Sequence, residues 1–327
     1  MVESTVSEFD LIKRYFYALG PRDESVIVGP GDDCAVIVPP LNTKLCCSID
    51  TLVEGVHFPP GMQSKHVATR ALGSALSDLA AMGASPSHFT LSLTMPSADA
   101  EWLNGFAAAL AGMSELYGVA LVGGDTTRGP LSVSIQVHGW LPVDAGLMRS
   151  GAQPGDLLVV SGTLGDAGAG LKLVLSDNHT DATAGSSEYV LEHRFYCPQP
   201  RLELGKHLLD NASSCIDISD GLLSDACHIA QRSDVCLSID ARTLPISSAL
   251  SKVYPKHSTE LALGAGDDYE LLFTVKPGDM PDLMKNSSTP LTVIGNVAAS
   301  VDGTDLELLG AEGLDIKQLK RGYVHFE

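Results

Sequence analysis

A turn-rich segment near the middle of the chain, residues 149–156 with the sequence RSGAQPGD, constrains the fold more than any other feature. The chain has 327 residues, which exceeds the roughly 250–300 residues at which a single hydrophobic core stops growing. Glycine and proline concentrated just before a new apolar run indicate a boundary between domains. The sequence therefore predicts two domains, residues 1–150 and residues 151–327.

Both halves mix helix and strand patterns, so we predict an α+β fold in each. Apolar residues spaced by three or four predict helices, whereas short β-branched or apolar runs predict strands. In the first half we expect helices at 8–19, 65–82 and 98–117, and strands at 26–28, 35–38, 44–49 and 131–141. In the second half we expect helices at 166–176, 200–211 and 220–233, and strands at 157–161, 236–239, 269–275 and 291–297.

Composition disfavours several classes of partner. Forty acidic residues against 21 basic residues give a net charge of −19, which opposes binding to nucleic acid or to an anionic membrane. No apolar run approaches the ~20 residues that span a bilayer, and residues 1–8 lack the features of a secretion signal. The seven cysteines show no CxxC spacing. We therefore expect a cytoplasmic protein with reduced thiols and with neither a membrane nor a nucleic-acid partner. The same charge implies that a polyanionic substrate would bind through metal ions.

Six short motifs place an aspartate beside glycine, serine or threonine. One such motif alone usually marks a turn or a helix cap. Several together suit Mg²⁺, which prefers hard oxygen ligands. The motifs are Gly31-Asp32-Asp33, Ser48-Ile49-Asp50-Thr51, Ser77-Asp78-Leu79, Gly123-Gly124-Asp125-Thr126-Thr127, Asp217-Ile218-Ser219-Asp220-Gly221 and Gly266-Asp267-Asp268-Tyr269-Glu270.

Asp78 lies in a helical stretch of small and apolar residues, so we expect its carboxylate to be buried beside a partner. Arg70 lies two turns earlier on the same helix face, and a salt bridge between the two is one alternative. A shared metal ion is the other. Asp50 and Asp125 each close an apolar run, and we expect both at strand ends, where carboxylates can converge on Mg²⁺.

Asp217 and Asp220 flank Ser219 at a predicted helix start. Their side chains either cap the helix or bind one ion while the helix N-terminus attracts phosphate. The glycine-rich stretch 162–172 also follows a strand and opens a helix. It lacks the lysine of a P-loop, so a tight turn is the favoured interpretation.

Two further polar residues are candidates for substrate contacts. Arg149 is one of few cations near these acids, and it either neutralises phosphate or is a solvated loop residue. His57 stands alone after the Asp50 motif, and a lone histidine is more often structural. No pattern of residues favours covalent catalysis.

In order and spacing, these motifs resemble those of the thiamine-monophosphate kinases of the AIR-synthase-like superfamily, and the resemblance covers nearly the whole chain. It rests on GDDCA at 31–35, DTLVEGVHF at 50–58, SDLAAMGA at 77–84, GGDTT at 123–127, DISDGL at 217–222 and DYEL at 268–271. The resemblance implies a two-domain architecture in which an N-terminal sheet forms a homodimer interface and a C-terminal α+β domain completes the active site. It also implies direct in-line transfer of the γ-phosphoryl group of ATP to thiamine monophosphate, assisted by Mg²⁺, as the last step of thiamine diphosphate biosynthesis.

The resemblance further implies which residues form the site. Several Mg²⁺ ions would be held by Asp33, Ser48, Ile49, Asp50, Asp78, Asp125, Asp217 and Asp220. ATP would contact Gly124, Asp125, Arg149 and Ser219, and thiamine monophosphate would contact His57, Asp267 and Tyr323. No general base is assigned, because the attacking phosphate is already ionised.

Three residues depart from the family pattern. Ile49 stands where relatives often have threonine, so a metal contact there would come from the main chain. Asp267 is one methylene shorter than the frequent glutamate, and Lys320 replaces an aromatic residue, so that Tyr323 would supply the ring.

Other functions stay open at this point. The sister enzymes are aminoimidazole-ribonucleotide synthetase, selenophosphate synthetase and the hydrogenase maturation factor. Selenophosphate synthetases usually carry a reactive cysteine or selenocysteine near the N-terminus, and the first cysteine here is Cys34, which argues against that sister. An acidic cation-binding scaffold is the non-enzymatic alternative.

Overall fold

The computed structural model describes residues 8–176, 182–314, 319 and 322. The described chain divides into two compact units. The first runs through Leu79 and resumes over Ala84–Asp144, and the second comprises Ala80–Gly83 and the chain from Ala145 onward. The expected α+β class is confirmed in both.

The first unit is built on a four-stranded sheet with the order β3-β6-β4-β5, in which β4 and β5 are parallel and the other neighbours are antiparallel. A separate two-stranded ribbon, β1-β2, precedes it. The elements are α1 (Glu8–Tyr15), β1 (Val26–Val28), β2 (Val36–Ile37), β3 (Thr43–Val53), α2 (Ser64–Met82), β4 (Ser85–Met95), α3 (Ala100–Tyr117), β5 (Ala120–Arg128) and β6 (Ser132–Pro142).

The two faces of this sheet differ. On one face, Val133, Ile135 and Val137 of β6 are buried, as the alternation of apolar residues predicts. On the other face, Leu45 and Ile49 of β3 are 54% and 61% exposed. A strand that exposes large apolar side chains at alternate positions leaves an uncovered apolar surface.

The second unit contains a six-stranded sheet with the order β12-β9-β11-β7-β10-β8. Its neighbours are antiparallel except for the parallel pair β12–β9. The elements are β7 (Leu157–Ser161), α4 (Asp166–Val174), α5 (Ser187–Tyr196), α6 (Leu202–Leu208), β8 (Ala212–Asp217), α7 (Leu222–Ser233), β9 (Val235–Asp240), a 3-10 turn (Ala241–Thr243), α8 (Ser248–Val253), α9 (Ser258–Gly264), β10 (Leu271–Val275), α10 (Met280–Asn286), β11 (Leu291–Ala299) and β12 (Leu306–Leu309).

Strand β10 lies between β7 and β8, with all five side chains buried and Leu272 in the main hydrophobic core of the unit. Helix α7 buries Leu222, Ala226 and Ile229 at a spacing of three to four residues, which places one apolar stripe in the same core. Both patterns are visible in the sequence.

The structure corrects several element bounds. The first helix ends at Tyr15 rather than at residue 19, and the strand expected at 44–49 extends over Thr43–Val53. Asp50 and Asp125 therefore lie within β3 and β5 and not at strand ends. The prediction missed β4, β8, β12, α5 and the three short helices α8–α10. Strand β8 has the sequence ASSCID, whose small polar residues give no strand signal.

Two general features bear on partners. Among the described residues, no helix is both long and apolar enough to cross a membrane. All seven cysteines are free thiols.

Candidate active site

Strand β3 and helix α2 bring three of the predicted metal ligands together. Ser48 and Asp50, two residues apart, lie on the side of β3 that faces α2. The Ser48 hydroxyl donates to Oδ2 of Asp78 at 2.5 Å, and the Ser74 hydroxyl donates to Asp50. Burial and then the charge of Asp78 raise the pKa of Asp50 to about 6, against the opposing hydrogen bond from Ser74. Two carboxylates in mutual repulsion form an arrangement that a shared cation would stabilise.

Ile49, between these residues, points to the opposite side of the strand and is exposed. Its side chain therefore lies away from Asp50 and Asp78, and a metal contact through the main chain of Ile49 stays a prediction. Arg70, the alternative partner of Asp78, is buried in the same helix at 2% exposure.

A second group of predicted residues surrounds a cavity of about 480 Å³ in the first unit. Asp33, Gly124 and Asp125 line it together with Ile12 of α1 and with Phe16, which directly follows that helix. With Asp32, the cavity thus combines an apolar wall with three carboxylates, a mixture suited to a small ligand with an apolar and a charged part.

Gly124 is required by the packing at this cavity. Its φ is +158°, and an added Cβ would overlap the carbonyl oxygen of Leu91 on β4. The absence of a side chain lets β5 approach β4 closely and brings Asp125 to the cavity.

The sheet order separates the two groups. Strand β3, which carries Ser48 and Asp50, is one edge of the sheet, and β5, which carries Asp125, is the other edge. At ~4.8 Å between neighbouring strands, three intervals place the two edges about 14 Å apart. One ion cannot contact both edges of the same sheet.

His57 lies in the turn that follows β3. The ring Nδ1 of His57 accepts a hydrogen bond from the Val53 N–H at 2.9 Å, and the backbone N–H of His57 donates to the Val53 carbonyl at 2.9 Å. An Nδ1 that accepts requires the proton of the neutral ring to lie on Nε2. The structural role expected of a lone histidine is therefore present, and Nε2 is a donor.

In the second unit, a buried residue that the sequence interpretation missed organises the third group. The backbone N–H groups of Ser219, Asp220 and Gly221 all donate to Oδ2 of Asp225, each at 3.1 Å. Burial, followed by the charges of Asp217 and Asp220, raises the pKa of Asp225 to about 8. The signal in the sequence was an acid in the first turn of a helix, which is common because of the helix dipole.

The three amides at 219–221, which precede α7, are bonded to a carboxylate of the protein itself. Phosphate binding at the start of α7 stays a prediction. The glycine-rich stretch before α4 behaves in the same way, because the Gly165 N–H donates to Oδ2 of Asp268 at 2.6 Å. It is a tight turn, as the sequence favoured.

Asp267, predicted to contact the substrate, lies beside Ser219. Its N–H donates to the Ser219 carbonyl at 2.9 Å, and its Oδ1 accepts from the Tyr269 hydroxyl at 3.1 Å. Asp267 and Tyr269 both have left-handed backbone, with φ of +68° and +51°. Two such residues so close together are uncommon and favour a functional constraint on this turn. Lys320 and Tyr323 lie outside the described residues.

Glu270, at the end of the same motif, forms a buried ion network that the sequence did not reveal. Its carboxylate accepts from Arg201 Nε at 2.6 Å, Arg194 Nη2 at 2.8 Å and Ser161 Oγ at 2.5 Å, and Arg201 Nη2 donates as well. Burial alone would raise the pKa of Glu270, but the hydrogen bond and charge of Arg201, with those of Arg194, hold it below its usual value. The network anchors the turn that carries Asp267.

Arg149 is exposed in a segment that runs beside β8. The Cys215 N–H donates to the Met148 carbonyl at 2.8 Å, and the Ser233 hydroxyl donates to the Arg149 carbonyl at 3.2 Å. Strand β8 ends at Asp217, so Arg149 and the aspartates of this loop belong to the same edge of the second sheet.

Across the described parts of the chain, no three His, Cys, Asp or Glu side chains form a ready-made metal site. The predicted ligands occur as smaller sets, namely Asp50 and Asp78 with Ser48, Asp33 with Asp125, and Asp217 with Asp220. Each set offers carboxylate or hydroxyl oxygens, the donors that Mg²⁺ prefers.

Comparison with known proteins places these residues in a family. Residues 31–141 match the family described as AIR synthase related protein, N-terminal domain, and residues 153–304 match its C-terminal domain. The thiamine-monophosphate kinase of Escherichia coli strain K12 is 42% identical over 323 residues, which cover 98% of each chain.

Two solved structures extend the likeness to the fold. The thiamine-monophosphate kinase of Stenotrophomonas maltophilia K279a superposes with a TM-score of 0.82 at 39% identity, covering 87% of this chain and 91% of that one. AaThiL complexed with AMPPCP and TMP superposes with a TM-score of 0.74 at 31% identity, covering 88% of each chain.

Proposed function

This chain belongs to the thiamine-monophosphate kinase family, and we propose that it transfers the γ-phosphoryl group of ATP to the phosphate of thiamine monophosphate, giving ADP and thiamine diphosphate. The observation that carries this proposal is the 42% identity over nearly the full length of a kinase of that name. A structural relative at 31% identity that is complexed with AMPPCP and TMP supports both substrates.

The proposed cofactor is Mg²⁺, held as several ions. Asp33, Asp125, Asp217 and Asp220 would act with the set of Ser48, Asp50 and Asp78, and the Ile49 carbonyl would contribute from the main chain. The residues fit such ions, because the Ser48 hydroxyl and the carboxylates of Asp50 and Asp78 bring hard oxygen donors close together. Bound Mg²⁺ would neutralise the charge that develops on the transferred phosphoryl group.

The remaining residues would bind and orient the two substrates. Gly124 and Ser219 would lie against ATP, and Arg149 would add a positive charge near its phosphates. His57 and Asp267 would contact thiamine monophosphate, His57 through the donor at Nε2. A substrate phosphate is ionised at neutral pH, so in-line attack needs correct placement rather than a general base.

A homodimer is part of the proposal. The uncovered apolar face of the first sheet, with exposed Leu45 and Ile49, would be buried by a second copy. The two open edges, β3 and β5, carry different halves of the carboxylate set about 14 Å apart. Pairing of β3 with the partner's β5 would bring the halves together, so each site would draw on both chains.

We also propose a cytoplasmic location, which the seven free thiols support because thiols persist in reducing compartments. The charge of −19 supports the absence of nucleic-acid and anionic-membrane partners.

The activity is tested by incubating purified protein with Mg-ATP and thiamine monophosphate and separating the products by chromatography. We expect equal amounts of ADP and thiamine diphosphate. ADP without thiamine diphosphate would indicate a sister activity of the superfamily. Metal binding by calorimetry without any ADP would indicate an acidic cation-binding scaffold.

A further inference from the structure

Among the described residues of the second unit, Asp225 is the one carboxylate that gathers three consecutive backbone amides on a single oxygen. Its Oδ2 accepts from the N–H groups of Ser219, Asp220 and Gly221 at 3.1 Å each. Its residue exposure is 2%, so solvent cannot replace these bonds. Successive amides that converge on one point form a concave site for an acceptor oxygen, and here that oxygen belongs to the protein.

The turn held in this way carries both predicted metal ligands of the second unit. Asp217 precedes the three amides, and Asp220 contributes one of them. The turn is also fixed from the other side, where the Ser219 carbonyl accepts from the Asp267 N–H at 2.9 Å. Gly221 ends the turn with a φ of +116°. A side chain does not fit at this position, because an added Cβ would lie 2.8 Å from the Gly264 carbonyl oxygen.

Asp225 is not offered as a third metal ligand of this turn, because it is buried and its Oδ2 already accepts three backbone N–H groups. Its bonds determine the backbone path and therefore the directions of the side chains of Asp217 and Asp220. Two carboxylates that share a cation must hold their oxygens within a few tenths of an ångström of the required geometry. A backbone fixed by three hydrogen bonds to one buried side-chain oxygen meets that need.

We propose that Asp225 is a positioning residue for phosphoryl transfer, which holds the 217–221 turn so that Asp217 and Asp220 present their oxygens to one Mg²⁺. The proposal rests on the metal role given above to Asp217 and Asp220. It assigns to Asp225 no contact with substrate or metal.

The test compares Asp225→Ala and Asp225→Asn with the wild-type protein by turnover across a Mg²⁺ titration. Loss of a group that orients metal ligands typically weakens metal affinity ~10–100-fold, so we expect Asp225→Ala to raise the half-saturating Mg²⁺ concentration by at least ~10-fold. Asparagine keeps an oxygen that can accept the three N–H bonds but replaces the other oxygen by an NH2 group, so Asp225→Asn should fall between Asp225→Ala and the wild type, at ~3-fold.

A matched control is Asp99→Ala. Asp99 also accepts backbone N–H groups, those of Glu101 and Trp102 at the start of α3, but it lies in the first unit outside the proposed site residues. Its loss should lower the thermal midpoint and leave the half-saturating Mg²⁺ concentration unchanged. The same pattern in Asp225→Ala would overturn the positioning role.

Two further outcomes complete the test. Equal effects of Asp225→Ala and Asp225→Asn on the half-saturating Mg²⁺ concentration would show that the accepting oxygen does not matter, and would also overturn the proposal. If Asp225→Ala does not fold, Asp225→Asn decides, and an unchanged half-saturating Mg²⁺ concentration contradicts the proposal. Asp217→Asn distinguishes failure of the metal assignment from failure of the role of Asp225. If Asp217→Asn leaves the half-saturating Mg²⁺ concentration unchanged, the metal assignment itself is wrong. If Asp217→Asn raises that concentration and Asp225→Ala does not, only the role of Asp225 is rejected.

Discussion

The hydroxyl of Ser48 on β3 donates a hydrogen bond of 2.5 Å to the carboxylate of Asp78 on α2. This bond joins two sequence motifs that are 30 residues apart and places Asp78 beside Asp50. Three oxygen-bearing side chains from a strand and a helix therefore face one another. The likeness to thiamine-monophosphate kinases gives this cluster its proposed role in holding Mg²⁺.

Complementation between variants tests the proposal that each site draws on two chains. Asp50→Asn and Asp125→Asn should each be inactive alone, because each lacks one proposed ligand. If Asp50 and Asp125 of a site come from different copies, a mixed dimer has one intact site. An equal mixture, refolded together, should then recover about one quarter of the wild-type rate, since half of the dimers are mixed.

The control for complementation is a mixture of Asp50→Asn with Asp78→Asn, whose altered residues lie in the same cluster and therefore in the same half of the site. That mixture should stay inactive. Absence of recovery in the Asp50→Asn and Asp125→Asn mixture, when light scattering shows dimers, would mean that each site is contained in one chain.

The stacked pair of His88 and His138 predicts a pH dependence of stability. Their ring centroids are 4.7 Å apart. The ring of Trp140 packs near that of His88, and Ser87, which shares a hydrogen bond with the His88 ring, donates to Asp23. Burial, with the charge of His138, lowers the pKa of His88 to about 4 from 6.5, although Asp23 opposes the shift. The unfolded chain therefore binds a proton between pH 6.5 and 4 that the folded chain does not bind.

Because the unfolded state binds more protons in this window, the free energy of unfolding should fall as pH falls, by about 2 to 3 kcal/mol from His88. Urea unfolding at pH 7 and pH 4.5 measures it. His88→Phe should have a shallower pH slope than the wild type, whereas His207→Gln, at an exposed histidine, should keep the full slope. Equal slopes for His88→Phe and the wild type would contradict the prediction.

Glu270→Gln should destabilise the second unit strongly. The change removes the charge that compensates Arg194 and Arg201, whose side chains are 12% and 18% exposed. Breaking one partner of a buried pair costs about 3 to 5 kcal/mol, because the remaining charge stays buried. Chemical denaturation measures the loss.

A suitable control for this change is Glu203→Gln, which breaks an exposed pair with Lys206. Such pairs contribute at most ~1 kcal/mol. A loss for Glu270→Gln no larger than that of Glu203→Gln would show that the network does not stabilise the fold.

Gly124→Ala should disrupt the packing of β5 on β4 beside the proposed ATP site. The new Cβ would overlap the Leu91 carbonyl oxygen, and the backbone at φ +158° suits glycine. Strain of this kind costs on the order of 1 to 3 kcal/mol and should lower the affinity for ATP. Thermal midpoint and the KM for ATP together measure the effect.

Gly112→Ala is the matched control, since Gly112 lies within α3 and an added Cβ meets nothing within 4 Å. Alanine in a helix is favoured over glycine by about 0.5 to 1 kcal/mol, so this variant should be slightly more stable with an unchanged KM. A Gly124→Ala protein that matches Gly112→Ala would refute the packing argument.

The sequence predicted the class of the fold and the local motifs well, because both depend on neighbouring residues. The helix over Ser64–Met82 and the strands Val26–Val28 and Leu157–Ser161 follow directly from apolar spacing. Strand β8 could not be predicted in this way, because its small polar residues give no hydrophobic pattern and become buried only through tertiary packing.

The same distinction holds for the site. The acidic motifs were visible as short patterns, but the partners that position them were not. Glu270 pairs with Arg201, 69 residues away, and no local pattern marks such a pair. Asp225 resembled an ordinary acid in a first helical turn, and its three amide bonds depend on the path of the preceding loop.

The most direct test of the account is Asp78→Asn, measured as turnover across a Mg²⁺ titration together with the thermal midpoint of metal-free protein. Asparagine preserves the shape of the side chain but removes the charge that a shared Mg²⁺ needs. We expect nearly complete loss of turnover, or recovery only at much higher Mg²⁺, with the midpoint nearly unchanged. If Asp78 instead pairs with Arg70, the variant strands a buried cation, so stability should fall by ~3 to 5 kcal/mol. A large drop in midpoint with normal specific activity of the folded fraction would contradict the metal-ligand role.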